Sequence, residues 1–185
     1  MKITLSGSPG SGKSTLRKLL AERYGLITKG TGDFMRELSS KHGYSDITQF
    51  LIEYVSFHPE VDKKVDEEQE AFGKTNDNFV LDAHLGFHFV PDSIRICLIC
   101  DLEEAARRIL DDAERTSEEA TNIRGSIDAS KKRRKTMRKN FMKLYQIDID
   151  DHTNFDFVLD TTVLSSEEVL KRVSSFIDLQ EINKG

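Results

Sequence analysis

A glycine-rich octapeptide near the start of the chain most constrains its fold. Residues 7–14 have the sequence Gly-Ser-Pro-Gly-Ser-Gly-Lys-Ser, which fits the pattern G-x-x-x-x-G-K-[ST] at every position. A short segment with the pattern of a strand, residues 2–6, precedes it, and residues 13–24 follow with leucines at helical spacing. Its glycines let backbone N–H groups wrap around an anion, to which the helix presents its positive end. The octapeptide therefore predicts a phosphate-binding loop between a strand and a helix.

The residue types of this loop predict which groups contact a nucleotide. We expect Lys13 to reach the β- and γ-phosphates and the Ser14 hydroxyl to bind Mg²⁺. ATP and Mg²⁺ are therefore the expected cofactors. The residues predicted to bind them are Gly7, Ser8, Pro9, Gly10, Ser11, Gly12, Lys13, Ser14 and Thr15.

Short apolar runs alternate with longer helical stretches along the rest of the chain. The runs at residues 79–81, 94–100 and 155–159 have the composition of strands buried on both faces. This alternation predicts a parallel α/β sheet, and the 185 residues are enough for one domain. The fifty or so residues before the run at 79–81 are mostly helical in pattern, including residues 46–57, and predict a helical insertion above the sheet.

Local signals add helix boundaries and argue against export. Gly25 is placed to end the first helix. N-cap residues followed three positions later by Glu predict helix starts at Asp101, Thr116 and Ser165. No apolar run approaches the roughly 18 residues of a membrane helix, and the first residues do not resemble a signal peptide. We expect a soluble, cytoplasmic protein.

Two cysteines, Cys97 and Cys100, lie within the apolar run at residues 94–100. Their spacing also occurs in redox and zinc sites, but those sites are built on loops. A strand context instead favours core thiols.

Charge is segregated along the chain. The net charge is -5, yet residues 131–143 contain eight basic residues and no acidic one, which leaves -5 - 8 = -13 for the remainder. The negative net charge of the whole chain argues against a dedicated nucleic-acid binder, so we expect no nucleic-acid partner. The basic segment has three interpretations: a solvated helix face, a patch attracted to RNA, or part of a phosphate-binding arm.

Asp82 directly follows the apolar run at residues 79–81. In open parallel sheets, ligands lie at the carboxyl ends of the strands. Its carboxylate is therefore a candidate to hold Mg²⁺ through water, while a turn or helix cap is the alternative role.

Several separate stretches of this sequence resemble the nucleoside monophosphate kinases, and specifically the archaeal-type cytidylate kinases. Besides the phosphate loop, they are residues 30–38 (GTGDFMREL), 58–66 (HPEVDKKVD) and 145–151 (YQIDIDD). The resemblance covers nearly the whole chain. It implies a three-layer P-loop kinase fold in which helices flank a five-stranded parallel sheet, with a helical acceptor-binding insertion and a mobile lid.

The resemblance also implies an acceptor site. Arg36 would clamp the acceptor phosphate beside Gly32, as a bidentate arginine near the phosphate loop can. Asp62 or Asp66 would face the base, although a solvated helix is the alternative for that acidic run. The family usually has an acid, a glycine and an arginine where this chain has Asp82, Ala83 and His84. We expect His84 to contact the acceptor phosphate, although neutral imidazole is a poorer clamp than arginine.

The resemblance further implies arginines that reach the transferring phosphoryl group, with Arg108 and Arg133 expected to be catalytic. The full set of candidates is Arg108, Arg115, Arg124, Arg133, Arg134 and Arg138. Asp112 replaces a typical lid arginine, and about six extra residues lie near 123–130. Thr161 and Thr162 would lie in the loop that packs against adenine. The expected division is core 1–30, 74–111 and 141–185, insertion 31–73 and lid 112–140.

The expected function is transfer of a phosphoryl group from ATP to a nucleoside monophosphate, with CMP or dCMP preferred and the protein a monomer. A kinase for AMP or another small acceptor is the nearest alternative, because fold alone does not determine a substrate. A protein of another class is also possible: one that binds RNA or a protein partner under nucleotide control and hydrolyses ATP slowly.

Overall fold

A computed structural model of the chain describes residues 1–45, 49–50, 53–54, 57–58, 60–111 and 122–183. Within these residues the strands are Lys2–Gly7 (β1), Ile27–Gly30 (β2), Phe79–Asp82 (β3), Ile94–Ile99 (β4) and Phe157–Asp160 (β5). The α-helices are Lys13–Tyr24 (α1), Thr31–Lys41 (α2), Glu60–Thr75 (α3), Gly86–Phe89 (α4), Leu102–Asp111 (α5), Ile123–Tyr145 (α6) and Ser166–Ile182 (α7). A 3₁₀ turn covers His152–Asn154.

The five strands form one sheet in the order β2-β3-β1-β4-β5, and every neighbouring pair is parallel. The predicted five-stranded parallel sheet is therefore confirmed. The first strand is central, with β2 and β3 on one side and β4 and β5 on the other. Such a reversal of strand order opens a crevice at the carboxyl ends of the strands, where open α/β sheets bind ligands.

Successive side chains of the inner strand β4 pack into two apolar layers, one on each face of the sheet. Ile96 and Leu98 of β4 share a buried cluster with Leu16 of α1 and Val173 of α7. Cys97, between them in sequence, belongs to a different cluster, which also receives side chains from α4 and α6. Successive strand residues point to opposite faces, so helices cover the sheet on both sides. This is the expected three-layer arrangement.

The second strand, Ile27–Gly30, lies where no apolar run predicts one. It is an edge strand paired only with β3, and its first two side chains are exposed, with Ile27 at 49%. An edge strand that buries few side chains has little reason to be apolar. The sequence therefore shows too weak a hydrophobic pattern to identify it.

The local helix signals match the structure where it describes them. Gly25 adopts φ 63° at the end of α1, and its N–H donates to the carbonyl of Ala21. Asp101 Oδ1 accepts from the N–H of Glu103 at 2.8 Å, and Ser165 forms a full capping box with Glu168. The helix start predicted at Thr116 lies outside the described residues.

Two of the expected boundaries, the end of the insertion at residue 73 and the end of the lid at residue 140, fall inside helices. Helix α3 continues past residue 73 to Thr75, and α6 runs without a break through residue 140 to Tyr145. Of the predicted lid, residues 112–121 lie outside the described part of the chain, as does most of the helix predicted at 46–57.

Both cysteine thiols are free, with Cys97 buried and Cys100 half-buried just beyond β4. Burial raises the pKa of both thiols, which favours the neutral, unreactive form. The prediction of core thiols therefore fits Cys97 best. Among the described residues, no helix has the length and apolar character needed to span a membrane.

Gly7 should be far less replaceable than Gly25. Both have positive φ, 135° and 63°, but a Cβ on Gly7 would lie 1.9 Å from the Leu98 carbonyl oxygen, whereas one on Gly25 would meet nothing within 4 Å. We expect Gly25→Ala to lower the free energy of unfolding by about 1–2 kcal/mol through backbone strain alone. Gly7→Ala should cost about 2 kcal/mol more through overlap. Urea unfolding measures both, and equal losses would contradict the tight packing at Gly7.

Candidate active site

The phosphate loop and Asp82 lie at the same edge of the sheet. The loop follows β1 directly, and Asp82 ends the neighbouring strand β3, where it pairs in register with Leu5. The hydroxyl of Thr31, at the start of α2, lies 3.5 Å from the Asp82 carbonyl oxygen. The beginnings of α1 and α2 thus meet at the end of β3.

The loop is shaped by glycines and by its packing against α5. Gly10 and Gly12 adopt φ 75° and 90°, which other residues rarely do. A Cβ on Gly10 would lie 2.5 Å from the Ala105 carbonyl oxygen, so only glycine lets the loop approach α5 this closely. The Ser11 hydroxyl donates to the Ser8 carbonyl at 2.8 Å and closes the turn.

Positive groups converge on this loop. The Lys13 ammonium donates to the carbonyls of Gly7 at 3.0 Å and Ser8 at 2.8 Å, so it folds back over the loop. Helix α1 begins after Gly12, which has no side chain to cap the first N–H groups. A lysine and an uncapped helix start at one place can hold a polyphosphate.

Ser14 and Asp82 form the candidate magnesium site. The Ser14 hydroxyl donates to Asp82 Oδ2 at 3.3 Å. Both groups present hard oxygen atoms, and Mg²⁺ in phosphate-transferring proteins takes one or two protein oxygens together with phosphate and water. Within the described residues, no group of three or more His, Cys, Asp or Glu side chains is arranged for a metal. The residues present fit a Mg²⁺ ion that a nucleotide shares.

Arg36 lies on α2 next to Gly32, as predicted, and its side chain is 61% exposed. Its guanidinium donates to Asp33, one turn earlier in the helix. The other oxygen of Asp33 accepts from Arg17 of α1 at 2.7 Å. Burial alone would raise the pKa of Asp33, but the hydrogen bonds from Arg17 and Arg36 outweigh it and hold the pKa below its usual value.

The residues proposed to contact the base are only partly described. Asp66 on α3 accepts a hydrogen bond from the Tyr145 hydroxyl at 2.5 Å and another from Gln69 at 3.2 Å. The backbone of Asp62 lies in the same helix, but its side chain lies outside the described part of the structure. His84 is half-buried two residues beyond β3, and its carbonyl accepts from Ser6 at 3.2 Å.

Arg108 joins α5 to the loop after β5. Its guanidinium donates to the carbonyls of Thr161 at 2.8 Å and Thr162 at 3.2 Å, and to Glu104 at 3.0 Å. The Thr161 hydroxyl in turn lies 3.1 Å from the carbonyl of Ser11 in the phosphate loop. Arg108 therefore contacts the segment predicted to pack against adenine, and reaches the phosphate loop through it.

The other candidate lid arginines differ in what the structure reveals. Arg134 and Arg138 of α6 donate to Asp150 at 2.7 Å and Asp148 at 2.8 Å. Arg124 is exposed in the first turn of α6. Arg133 has its backbone in α6, but its side chain lies outside the described part, and Arg115 lies outside it altogether.

A cavity of about 270 Å³ separates the phosphate loop from α6. Ser8 and Pro9 form its loop side, and basic side chains of α6 lie opposite, including Arg134 and Arg138. This placement brings part of the basic segment close to the phosphate loop. It favours the phosphate-binding interpretation of that segment over a purely solvated helix face.

Several residues of the site were not identified from sequence. Arg17, Asp33 and Glu104 were not predicted as site residues, although each lies three or four residues along a helix from a candidate, namely Ser14, Arg36 and Arg108. That helical spacing was the available signal. Tyr145 begins the family-like stretch 145–151, but no local pattern indicates its contact with Asp66, which is 79 residues away.

Asp33 should make stability depend on pH. Its folded pKa is lowered, so its ion pairs stabilise the protein above the ordinary aspartate pKa, about 4, and are lost as the pH falls through the folded value. We expect Asp33→Asn to lower the free energy of unfolding by about 1 kcal/mol at pH 7 and by much less at pH 3. Urea unfolding at both pH values tests this, with the 91% exposed Asp77→Asn as control. A loss independent of pH would contradict it.

Comparisons with known proteins agree with this geometry. A family model described as an AAA domain, AAA_18, matches residues 3–136. A cytidylate kinase of Archaeoglobus fulgidus is 30% identical over 183 residues, which cover 98% of this chain and 97% of that protein. A cytidylate kinase of Thermoplasma acidophilum is 33% identical over 179 residues, 96% and 93% of the two chains.

Solved structures support the fold independently. The shikimate kinase of Bacteroides thetaiotaomicron superposes with a TM-score of 0.67 over 96% of this chain and 98% of its own, at 12% identity. At that identity the likeness shows the fold alone. The resemblance found in the sequence motifs is confirmed by the relatives. The chain therefore belongs to the AAA_18 family and is a P-loop kinase related to the archaeal cytidylate kinases.

Proposed function

We propose that this protein transfers the γ-phosphoryl group of ATP to a nucleoside monophosphate, with CMP or dCMP as the preferred acceptor. The observation that carries this proposal is the link from the phosphate-loop helix to Arg36 through Arg17 and Asp33. This link supports the proposal because it joins Arg36, which would bind the acceptor phosphate, to the helix that follows the phosphate loop. The names of the relatives support cytosine as the base of the acceptor.

The donor side needs charge neutralisation more than covalent chemistry. The backbone N–H groups of the loop and the Lys13 ammonium would hold the β- and γ-phosphates and stabilise the charge that develops on them. Mg²⁺, when bound, supplies further neutralisation of these phosphates. Ser14 would hold that ion directly, and Asp82 directly or through water.

The acceptor side must place one phosphate oxygen in line with the γ-phosphorus. Arg36 can donate two parallel hydrogen bonds to the monophosphate and fix that oxygen. The oxygen forms a bond to the γ-phosphorus while the bond from that phosphorus to the β,γ-bridging oxygen breaks. The products are the nucleoside diphosphate and ADP, with no covalent protein intermediate.

Groups around the two phosphates would hold the bases and exclude water. Asp66 has the acceptor oxygens that an exocyclic amino group requires, and Tyr145 fixes its orientation. The loop at Thr161 and Thr162, held by Arg108, would pack against the adenine of ATP. The basic residues of α6 across the cavity, together with Arg133, would complete the charge around the transferring group.

One observation favours a different acceptor, and another favours a different class of protein. His84 stands where the family usually has an acceptor-binding arginine, so a kinase for AMP or another small acceptor is the alternative enzyme. Exposed lysines on α6 favour a nucleotide-dependent RNA-binding protein: Lys131, Lys132, Lys135, Lys139 and Lys143. A steep fall of RNA affinity with salt would support that alternative.

Two measurements test the proposal: the dependence of ADP formation on the acceptor, and the activity of an Arg36→Ala variant. ADP formation from Mg·ATP should be strongly stimulated by CMP or dCMP, and less by UMP, AMP or GMP. We expect Arg36→Ala to lower kcat/KM for CMP about 100-fold or more, since hydrogen bonds to a charged group are worth about 1.5–3 kcal/mol each, and to leave ATP binding intact. A coupled spectrophotometric assay measures turnover, and calorimetry measures ATP binding.

A matched control is Arg23→Ala. Arg23 lies in the last turn of α1, at the end away from the phosphate loop, and pairs with Asp178 at 3.6 Å. This variant should retain wild-type turnover. ADP formation that no acceptor changes, or an Arg36→Ala variant as active as the control, would refute a nucleoside monophosphate kinase.

The magnesium site makes a separate prediction. Asp82→Asn should raise the Mg²⁺ concentration needed for half-maximal turnover by about 10–100-fold, the usual cost of losing a group that supports a metal. Titration of Mg²⁺ at constant ATP measures the shift, with Asp77→Asn, two residues before the start of β3, as control. An unchanged Mg²⁺ dependence would leave Asp82 only its alternative role, as the cap of a turn or helix.

A further inference from the structure

Arg17 occupies an unusual position for a charged residue. It lies one turn beyond Ser14 on α1, and its side chain is only 15% exposed. Its Nη1 atom lies so close to Gly30 that a Cβ there would be 2.4 Å away. The glycine at the junction of β2 and α2 therefore makes room for this guanidinium.

The partner of Arg17 is a carboxylate that it shares with Arg36. Asp33 Oδ2 accepts from Arg17 at 2.7 Å, and Oδ1 accepts from the more exposed Arg36. The two arginines come from different helices, α1 and α2. One half-buried carboxylate is thus compensated by two positive charges, of which that of Arg17 is the less exposed and that of Arg36 lies near the surface.

This sharing matters when a phosphate binds. An arginine that turns towards an acceptor phosphate must weaken its contact with Asp33. Without a second cation, the carboxylate would then stand uncompensated near a dianion, and like charges within about 4–6 Å repel. Arg17 has no such competing task, because its guanidinium is held between α1 and the start of α2.

We propose that Arg17 is a positioning residue for the acceptor phosphate: it keeps Asp33 neutralised and in place, so that Arg36 can exchange this carboxylate for the phosphate of the monophosphate. The inference rests on the proposed function. Because Ser14 and Arg17 lie on successive turns of α1, the same contact fixes α2 relative to the phosphate loop.

A purely structural role predicts a different outcome. Among the described residues, the buried Nε of Arg17 has no hydrogen-bond acceptor, which is unfavourable for a charged group. Removal of only one partner of a buried ion pair is destabilising, whereas replacement of both partners by apolar side chains is often neutral for stability. A structural role would therefore change the melting temperature and leave the KM for the acceptor unchanged.

Steady-state kinetics of four variants test the inference: Arg17→Met, Arg17→Lys, Asp33→Asn and the double variant Arg17→Met/Asp33→Asn. Arg17→Met should raise the KM for CMP about tenfold or more, the loss expected for one hydrogen bond between charged groups, with the KM for ATP within about twofold of wild type. Arg17→Lys should recover part of the loss, because it restores the charge. Lys18→Met, exposed on the next position of α1, is the matched control.

The double variant separates neutralisation from packing. Asp33→Asn removes the charge that Arg17 compensates, so Arg17→Met should change the KM for CMP less than about twofold in that background. A tenfold rise in the KM for CMP on Arg17→Met both with Asp33 and with Asp33→Asn, or no rise with either, would overturn the inference. Wild-type protein without acceptor-stimulated ADP formation would overturn the proposed function as well, whereas active wild type with unaltered variants would overturn only the role of Arg17.

Discussion

The close approach of two backbone segments at Gly7 is the constraint on which the site depends. At this point β1 ends against the carbonyl of Leu98 in β4, with no room for a side chain. The chain must turn there with positive φ, and the next two glycines of the loop do the same. Packing of the central strands therefore fixes where the loop starts, and the loop fixes where Lys13 and Ser14 lie.

How much could be predicted follows from how local each feature is. The phosphate loop, the end of β3 at Asp82 and the caps of α5 and α7 depend on a few consecutive residues, and the sequence predicted them. Strand β2 could not be predicted, because its exposed edge position relaxes the demand for apolar residues. The contact of Arg17 with Asp33 depends on where β2 places the start of α2, so it was missed for the same reason.

The uneven charge along the sequence becomes more even in space. The basic segment of α6 lies beside an acidic turn, where Asp148 and Asp150 accept from Arg138 and Arg134. The hydrogen bond from Arg138 lowers the pKa of Asp148 and keeps it charged. Arg134 and Arg138 are thus held against this turn, while the lysines of the segment remain exposed to solvent. A count of charges along the chain does not distinguish these two sets, because the acidic partners follow the helix rather than lie within it.

Helix α6 is a single element of 23 residues, about 35 Å long at 1.5 Å per residue. Basic side chains in its middle face the phosphate loop across the cavity, and Tyr145 at its end binds Asp66 on α3. Both contacts belong to one continuous helix, so a displacement at one of them can be transmitted to the other. Under the proposed function, nucleotide binding beside the phosphate loop and the orientation of the Asp66 carboxylate would then be coupled through α6, and such a coupling is necessarily reciprocal.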